Sequence, residues 1–224
     1  MGEKVVCCAD FCSLIQSRIP DLKPHSSRLS FRRGDVIYQV DDPADGVFWI
    51  ESGRAKVVRI SAEGQEKIVG LYGAGDVFGE LCLCEVARRR DEAVALEALE
   101  LLSIHVSGLM KMMARTPEFS QALLRIVCQR LLDYQEQVAT LSFDTVSRRL
   151  AKELLRLGGA QADTAFEKDG RMATGWTHEE LANLIGSTRE VVTPLMNQFR
   201  DKGMIAYDRR AIMIFPRRIQ EFLK

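Results

Sequence analysis

Between about Arg28 and Ile104, apolar residues come in short runs separated by turn-forming residues. Val36–Tyr38, Val47–Ile50, Ala55–Ile60 and Lys67–Leu71 are rich in β-branched and aromatic side chains and are predicted strands. Asp41-Asp42-Pro43, Glu51-Ser52-Gly53 and Ala62-Glu63-Gly64 lie between them and supply residue types that turns require. Gly34-Asp35-Val36-Ile37 is echoed by Gly75-Asp76-Val77-Phe78, a short internal repeat. Many short strands at close spacing predict a sandwich or barrel of jelly-roll type.

From Pro117 the period becomes helical. Leu124, Val127, Leu131, Tyr134, Val138 and Leu141 follow alternating spacings of three and four residues. This is a heptad seam on a helix of about 25 residues, or ~38 Å. The strict alternation favours pairing with a second helix; the alternative is a helix lying along its own domain's core.

From Val146 the pattern is that of a small α/β unit. Leu150–Leu157 reads as an amphipathic helix closed by Gly158-Gly159, and Gln161–Gly170 as a polar loop. Thr177-His178-Glu179-Glu180 forms a capping box that opens a helix through Ile185. Gly186 makes a turn, Ser187-Thr188-Arg189-Glu190 caps a second helix, and Gly203 ends it. Met204–Tyr207 and Ala211–Phe215 then read as the two strands of a wing. The expected architecture is α+β. It has a β-rich domain over residues 1–115, a dimerisation helix over 116–144 and a winged helix-turn-helix over 145–224.

Two helices joined by a tight glycine turn can place the second in a DNA major groove. Arg189 can pair with the O6/N7 edge of guanine, and Glu190 can accept from a cytosine amino group. Read as ordinary surface, both would be solvated and Glu190 would serve only the cap. The net charge is +0, but the chain from Arg171 to Lys224 carries nine Lys or Arg against six Asp or Glu. That local excess suits a phosphate-facing module without demanding one.

Leu181–Thr193 resembles the DNA-reading motif of the cyclic-AMP receptor/fumarate-nitrate regulator (CRP/FNR) family, and Gly75–Leu81 resembles that family's effector-pocket motif. The two occur in the family's order and separation. The resemblance implies a cyclic-nucleotide-binding-like β-roll and a homodimer that regulates transcription from palindromic DNA sites. It also implies RNA polymerase as a further partner. By the same resemblance, Ser187, Thr188, Arg189, Glu190 and Thr193 face DNA, with Arg200, Lys202, Arg209 and Arg210 as candidate phosphate contacts. Gly79, Glu80, Leu81, Arg88, Arg89 and Arg90 fall in the effector region, as do Tyr134 and Gln135 from the dimer helix.

Three departures qualify the transfer. Counting back from Ala95-Leu96-Glu97 puts Arg89 at the family's phosphate position, whereas counting forward from Gly79-Glu80 puts Arg90 there. Neither count leaves a serine after the arginine, and the dimer helix offers Tyr134-Gln135 where the family has Thr-Ser. With Asp91 also nearby to oppose an anion, cyclic AMP is not the expected effector, although three successive arginines still fit a small anion. Finally, Pro194 stands where the family often has a second arginine, so a kink or a late helix start is expected.

Six cysteines raise the question of a cluster: Cys7, Cys8, Cys12, Cys82, Cys84 and Cys128. Adjacent Cys7 and Cys8 are poorly spaced to share one, so no iron–sulfur cluster is expected, and reduced thiols fit a cytoplasmic protein. His25, His105 and His178 are too scattered to indicate haem or zinc. No phosphate-cradling glycine loop, zinc-protease helix or Ser/His/Asp set is evident, so an enzyme is not expected. The N-terminus lacks a secretion pattern, and no apolar run is long enough for a membrane span. The competing function is a nucleotide-responsive signalling adaptor without sequence-specific DNA binding.

Overall fold

The structure is a computed structural model that describes residues 13–15, 17–18, 22–62, 64–84, 87–159, 171–174, 176–208 and 211–224. The chain forms two compact units, Met1–Asp133 and Tyr134–Lys224.

The first unit contains two four-stranded antiparallel sheets. One has the order β1 (Ser26–Phe31), β8 (Leu99–His105), β3 (Gly46–Ser52) and β6 (Val77–Phe78). The other has the order β2 (Val36–Tyr38), β7 (Glu92–Ala95), β4 (Ala55–Ile60) and β5 (Glu66–Tyr72). The alternation of side chains along a strand explains how β3 and β8 serve two cores at once. Phe48, Ile50, Leu99 and Leu101 meet Tyr38, Val57, Phe78 and Ala95 in a core shared by the two sheets. Val47, Trp49, Leu102 and Ile104 point the other way and pack on α1 (Val106–Arg115) and the start of α2 (Pro117–Phe143). A strand buried on both faces reads as the continuous apolar run Val47–Ile50 rather than as an alternation.

The glycine-aspartate echo is a repeated turn. Gly34 and Gly75 have φ of 89° and 88°, values open to glycine at little cost. The carboxylate of Asp35 accepts from the Arg32 amide at 2.7 Å, as that of Asp76 does from the Gly73 amide at 2.8 Å.

Helix α2 has 27 residues and starts at Pro117 as predicted. It carries both of the faces that the sequence left as alternatives. Phe119, Ala122, Leu123 and Ile126 are buried in the first unit's core. Leu124, Val127, Leu131, Tyr134, Val138 and Leu141 lie exposed on another face, from 40% at Leu141 to 64% at Val138.

In the second unit, α3 (Val146–Gly159) buries Leu150, Leu154 and Leu157. α4 (His178–Ile185) and α5 (Arg189–Asp201) form the helix-turn-helix and bury Leu181, Ile185, Val192, Met196 and Phe199. The wing strands β10 (Ile205–Asp208) and β11 (Ala211–Ile214) are joined by β9 (Arg171–Thr174), giving the order β10-β11-β9. A closing helix, α6 (Pro216–Leu223), sets Phe222 edge-on to Phe199 with ring centroids 5.5 Å apart. Neither β9 nor α6 was predicted. The expected loop at Gln161–Gly170 lies outside the described residues, as do Cys7, Cys8 and Cys12.

Candidate effector site and DNA-reading unit

In the β-roll, Gly79 turns the chain at φ 81° between β6 and a 3₁₀ turn over Glu80–Cys84. Its carbonyl accepts from Arg89 Nη1 at 2.9 Å, and the Gly46 carbonyl accepts from Arg89 Nη2 at 2.6 Å. A Cβ on Gly79 would stand 2.8 Å from Arg89 Nη1, so a side chain there would displace the guanidinium. The Arg89 guanidinium lies over the Tyr38 ring, 4.5 Å from its centroid, and 5.3 Å from that of Phe48. Arg89 is 5% exposed and its Nε has no hydrogen-bond partner. Arg88 donates to the Asp41 carbonyl at 2.7 Å and is exposed, as is Arg90. Of the two positions the counts allowed, Arg89 is therefore the interior one.

Asp91 accepts from the Tyr38 hydroxyl at 3.0 Å. Burial and the Asp91 charge together push the Tyr38 phenol far above its ordinary range, so it remains a hydrogen-bond donor.

Glu80 pairs with Arg130 of α2, Oε2 to Nη1 at 2.5 Å. Arg130 also donates to the Val77 carbonyl and lies over the Tyr72 ring, 4.9 Å from its centroid. Burial works against the Arg130 charge, but Glu80 and Tyr72 outweigh it and hold the guanidinium above its ordinary value. Arg130 and Tyr72 were missed because nothing local marks an arginine or tyrosine as belonging to a site 50 or 8 residues from Glu80. Leu81 is 46% exposed. Tyr134 and Gln135 are exposed on the part of α2 that belongs to the second unit.

Cys82 is buried, which pushes its thiol pKa up, whereas Cys84 and Cys128 are exposed; all three are free. Among the described residues, no cluster of His, Cys, Asp or Glu could hold a metal ion.

In the second unit, the capping box is complete. Thr177 Oγ1 accepts from the Glu180 amide at 3.1 Å, and Glu180 Oε2 from the Thr177 amide at 2.8 Å. Gly186 adopts the left-handed conformation at φ 63°, ψ 52°, and the Ser187 amide returns to the Ala182 carbonyl at 3.0 Å. Thr188 occupies the N-cap position before α5, but its hydroxyl makes no cap to the helix amides. Instead the Glu190 carboxylate accepts from its own amide and from Thr188, which holds it below the usual carboxylate range. Thr188, Arg189 and Glu190 are exposed; Ser187 and Thr193 are half-buried.

The late start expected from Pro194 is not seen. α5 begins at Arg189 and continues through Pro194 to Asp201. The flanking Val192, Met196 and Phe199 are buried, and that packing holds the helix across the missing amide donor.

Arg200 pairs with its neighbour Asp201 at 3.1 Å, and Lys202 Nζ sits 5.6 Å from the Phe222 ring centroid. Arg209 and Arg210 lie outside the described residues. Two further residues bind the unit together. Arg149 donates to the carbonyls of Ile185 (3.0 Å), Gly186 (3.4 Å) and Asp144 (3.2 Å). His178 contacts Thr193 Oγ1 through Nδ1 at 3.0 Å and the Tyr207 hydroxyl through Nε2 at 2.9 Å.

A two-sheet β-roll with an arginine held inside it, followed by a long helix and a capped helix-turn-helix with a wing, defines a sensor-linked transcription regulator. The chain matches the cyclic nucleotide-binding domain over residues 28–116 and the Crp-like helix-turn-helix domain over residues 148–218. It is 30% identical over 201 residues to a CRP-like cAMP-activated global transcriptional regulator of Mycobacterium tuberculosis (strain ATCC 25618 / H37Rv), covering 88% of each chain. It is also 30% identical over 190 residues to the global nitrogen regulator of Synechococcus elongatus, covering 83% of this chain and 84% of that one. Among solved structures, the c-di-GMP responsive global regulator CLP of Xanthomonas campestris superposes with a TM-score of 0.78 at 21% identity, covering 89% of this chain and 99% of that one. FixK2 from Bradyrhizobium japonicum gives 0.75, also at 21%, covering 88% and 96%. The chain belongs to the CRP/FNR family of transcription regulators.

Proposed function

We propose that the protein acts as a homodimer on palindromic promoter DNA and changes its DNA affinity when a small anion binds in the β-roll. The observation that carries this reading is the start of α5. A box-capped helix and a left-handed glycine turn present Thr188, Arg189 and Glu190 to solvent at the end of a second helix. That is the arrangement by which a helix-turn-helix reads base edges in the major groove. The exposed apolar face of α2 supports the dimer, since such a stripe is stable when a partner helix covers it. RNA polymerase is the expected protein partner of such a regulator at a promoter.

The effector class follows from Arg89 and its surroundings. Its Nε is buried without a partner, and an anion is the acceptor that would satisfy it. The residue after it is Arg90 rather than a hydroxyl residue, and Asp91 follows. The relatives' names pair this architecture with different effectors, cAMP in one and c-di-GMP in another, so ancestry does not choose among them. Cyclic AMP is not the favoured effector. The domains are read as sensor (1–115), dimerisation helix (116–144) and DNA-binding domain (145–224).

The test is selection of purified full-length protein against random duplex DNA, with and without oxygen, cyclic nucleotides and small anions. An enriched palindrome whose recovery depends on one anion is expected. A folded, dimeric protein that enriches no sequence under any condition would favour the signalling adaptor.

A further inference from the structure

The imidazole of His178 lies between the reading helix and the wing, with one ring nitrogen on each. It is in the first turn of α4, its Nδ1 is 3.0 Å from Thr193 Oγ1 on α5, and its Nε2 is 2.9 Å from the Tyr207 hydroxyl on β10. Thr193 stands four residues after Arg189, so the two share a face of α5. Tyr207 is 44% exposed. Thr193 is thus on the face of α5 that carries Arg189, and both hydroxyls are tied to one titratable ring.

Counting hydrogens shows what the ring controls. A neutral imidazole has one N–H donor and one acceptor nitrogen, while each hydroxyl has a single hydrogen. One hydroxyl must therefore direct its hydrogen at the ring, leaving only the other free to donate outward. An imidazolium donates from both nitrogens, so both hydroxyls accept from it and both hydrogens turn outward. Phosphate oxygens only accept, and they also attract the added positive charge.

We propose that His178 is a positioning residue for DNA binding, whose protonation sets how many hydroxyl donors Thr193 and Tyr207 offer to the DNA. This rests on the DNA-reading role of α5. In the free protein, burial and then the Arg189 charge from α5 hold His178 below its ordinary value, so it is neutral near neutral pH. From the wing, it faces the Tyr207 phenol, which burial raises despite the opposing charge of Arg200. DNA phosphates engaging Arg189 relieve the repulsion on the ring, so binding takes up a proton. Affinity then rises as pH falls between the complexed and free values of the histidine, and levels off below the latter.

The experiment measures binding of the full-length protein to a labelled duplex carrying the selected palindrome, at about pH 8 and about pH 6, where histidine charge changes. Calorimetry in buffers of different ionisation enthalpy counts the protons taken up. Wild type is expected to bind at least ~3-fold more tightly at the lower pH, within the limit of ~10-fold per pH unit for one linked proton. H178Q keeps one donor and one acceptor but cannot titrate. Whatever its affinity at the higher pH, it should lose the excess slope. H178A should be weaker at both pH values, with its fold checked by circular dichroism. His25 and His105 remain in every variant, so the difference from H178Q isolates this ring. Identical pH profiles and proton uptake for wild type and H178Q would overturn the role. Failure of wild type to bind any duplex at either pH would overturn the DNA-reading function itself, and this role with it.

Discussion

Replacing Leu131 by alanine should weaken the dimer while leaving each chain folded. Leu131 is 58% exposed on α2, midway along the apolar face. Fully burying a leucine is worth ~1.5–3 kcal/mol, so covering the exposed part is worth about 1–1.5 kcal/mol per helix. A symmetric dimer contains the position twice, which brings the loss to ~2–3 kcal/mol. At tenfold per ~1.4 kcal/mol, the dissociation constant should rise ~30- to 100-fold. Alanine favours the helix at least as well as leucine, so α2 itself should persist. Leu131→Asp should be more severe, because two carboxylates would face each other across the seam. Ile126 supplies the contrast: it is 6% exposed on the face buried in the first unit. Ile126→Ala should cost ~2–5 kcal/mol of folding stability through the cavity it leaves. Sedimentation equilibrium over a concentration series, with circular dichroism as the check on folding, separates the two effects. An unchanged dissociation constant in both Leu131 variants would show that this face of α2 is not the dimer surface.

Gly79→Ala forces a side chain into φ 81° and against Arg89 and Phe48, so ~1–3 kcal/mol of stability should be lost in urea unfolding. Thr177→Ala removes the cap of α4 and should cost ~1 kcal/mol by the same assay. Arg189→Ala should relax base preference at one position of each half-site by ~1–3 kcal/mol, read by repeating the sequence selection. Without DNA, His178 below its ordinary value of 6.5 binds fewer protons folded than unfolded, so its contribution to stability should fall as pH drops through that value. Urea melts across this range should show a shallower slope for H178Q than for wild type.

Features written in local residue patterns were legible before the structure. The capping box at Thr177 and Glu180, the helix start at Pro117 and the strands β2 to β5 all follow from neighbours in the chain. Partnerships between distant residues were not legible. β9 was missed because a four-residue strand, Arg171–Thr174, becomes one only by pairing with β11. The two faces of α2 overlap within the same turns, so Leu123 and Leu124 look alike in sequence although one is buried and the other exposed. The late helix start expected from Pro194 failed for a related reason. The tertiary packing of Val192, Met196 and Phe199 that holds the helix is invisible to local rules.

The choice between Arg89 and Arg90 shows the same limit at the candidate effector site. In extended chain, successive side chains point to opposite sides, so a one-residue error exchanges inside for outside. Counting from Gly79-Glu80 and counting from Ala95-Leu96-Glu97 differ by that one residue. What decides is pairing with a segment more than 40 residues earlier. The Arg89 amide donates to the Asp42 carbonyl at 2.8 Å, and the Asp41 amide donates to the Arg89 carbonyl at 2.9 Å. Pro43 and Arg88 form a β-bridge beside them. With that register, Arg88 and Arg90 face solvent and Arg89 turns inward to the carbonyls of Gly46 and Gly79. An effector assigned from aligned arginines alone therefore depends on a register that motif spacing does not determine. Arg89→Ala should abolish the response to the anion, whereas Arg90→Ala should leave it largely intact. Anion-dependent DNA binding by the two variants measures this, and the reverse result would place the effector outside the β-roll interior.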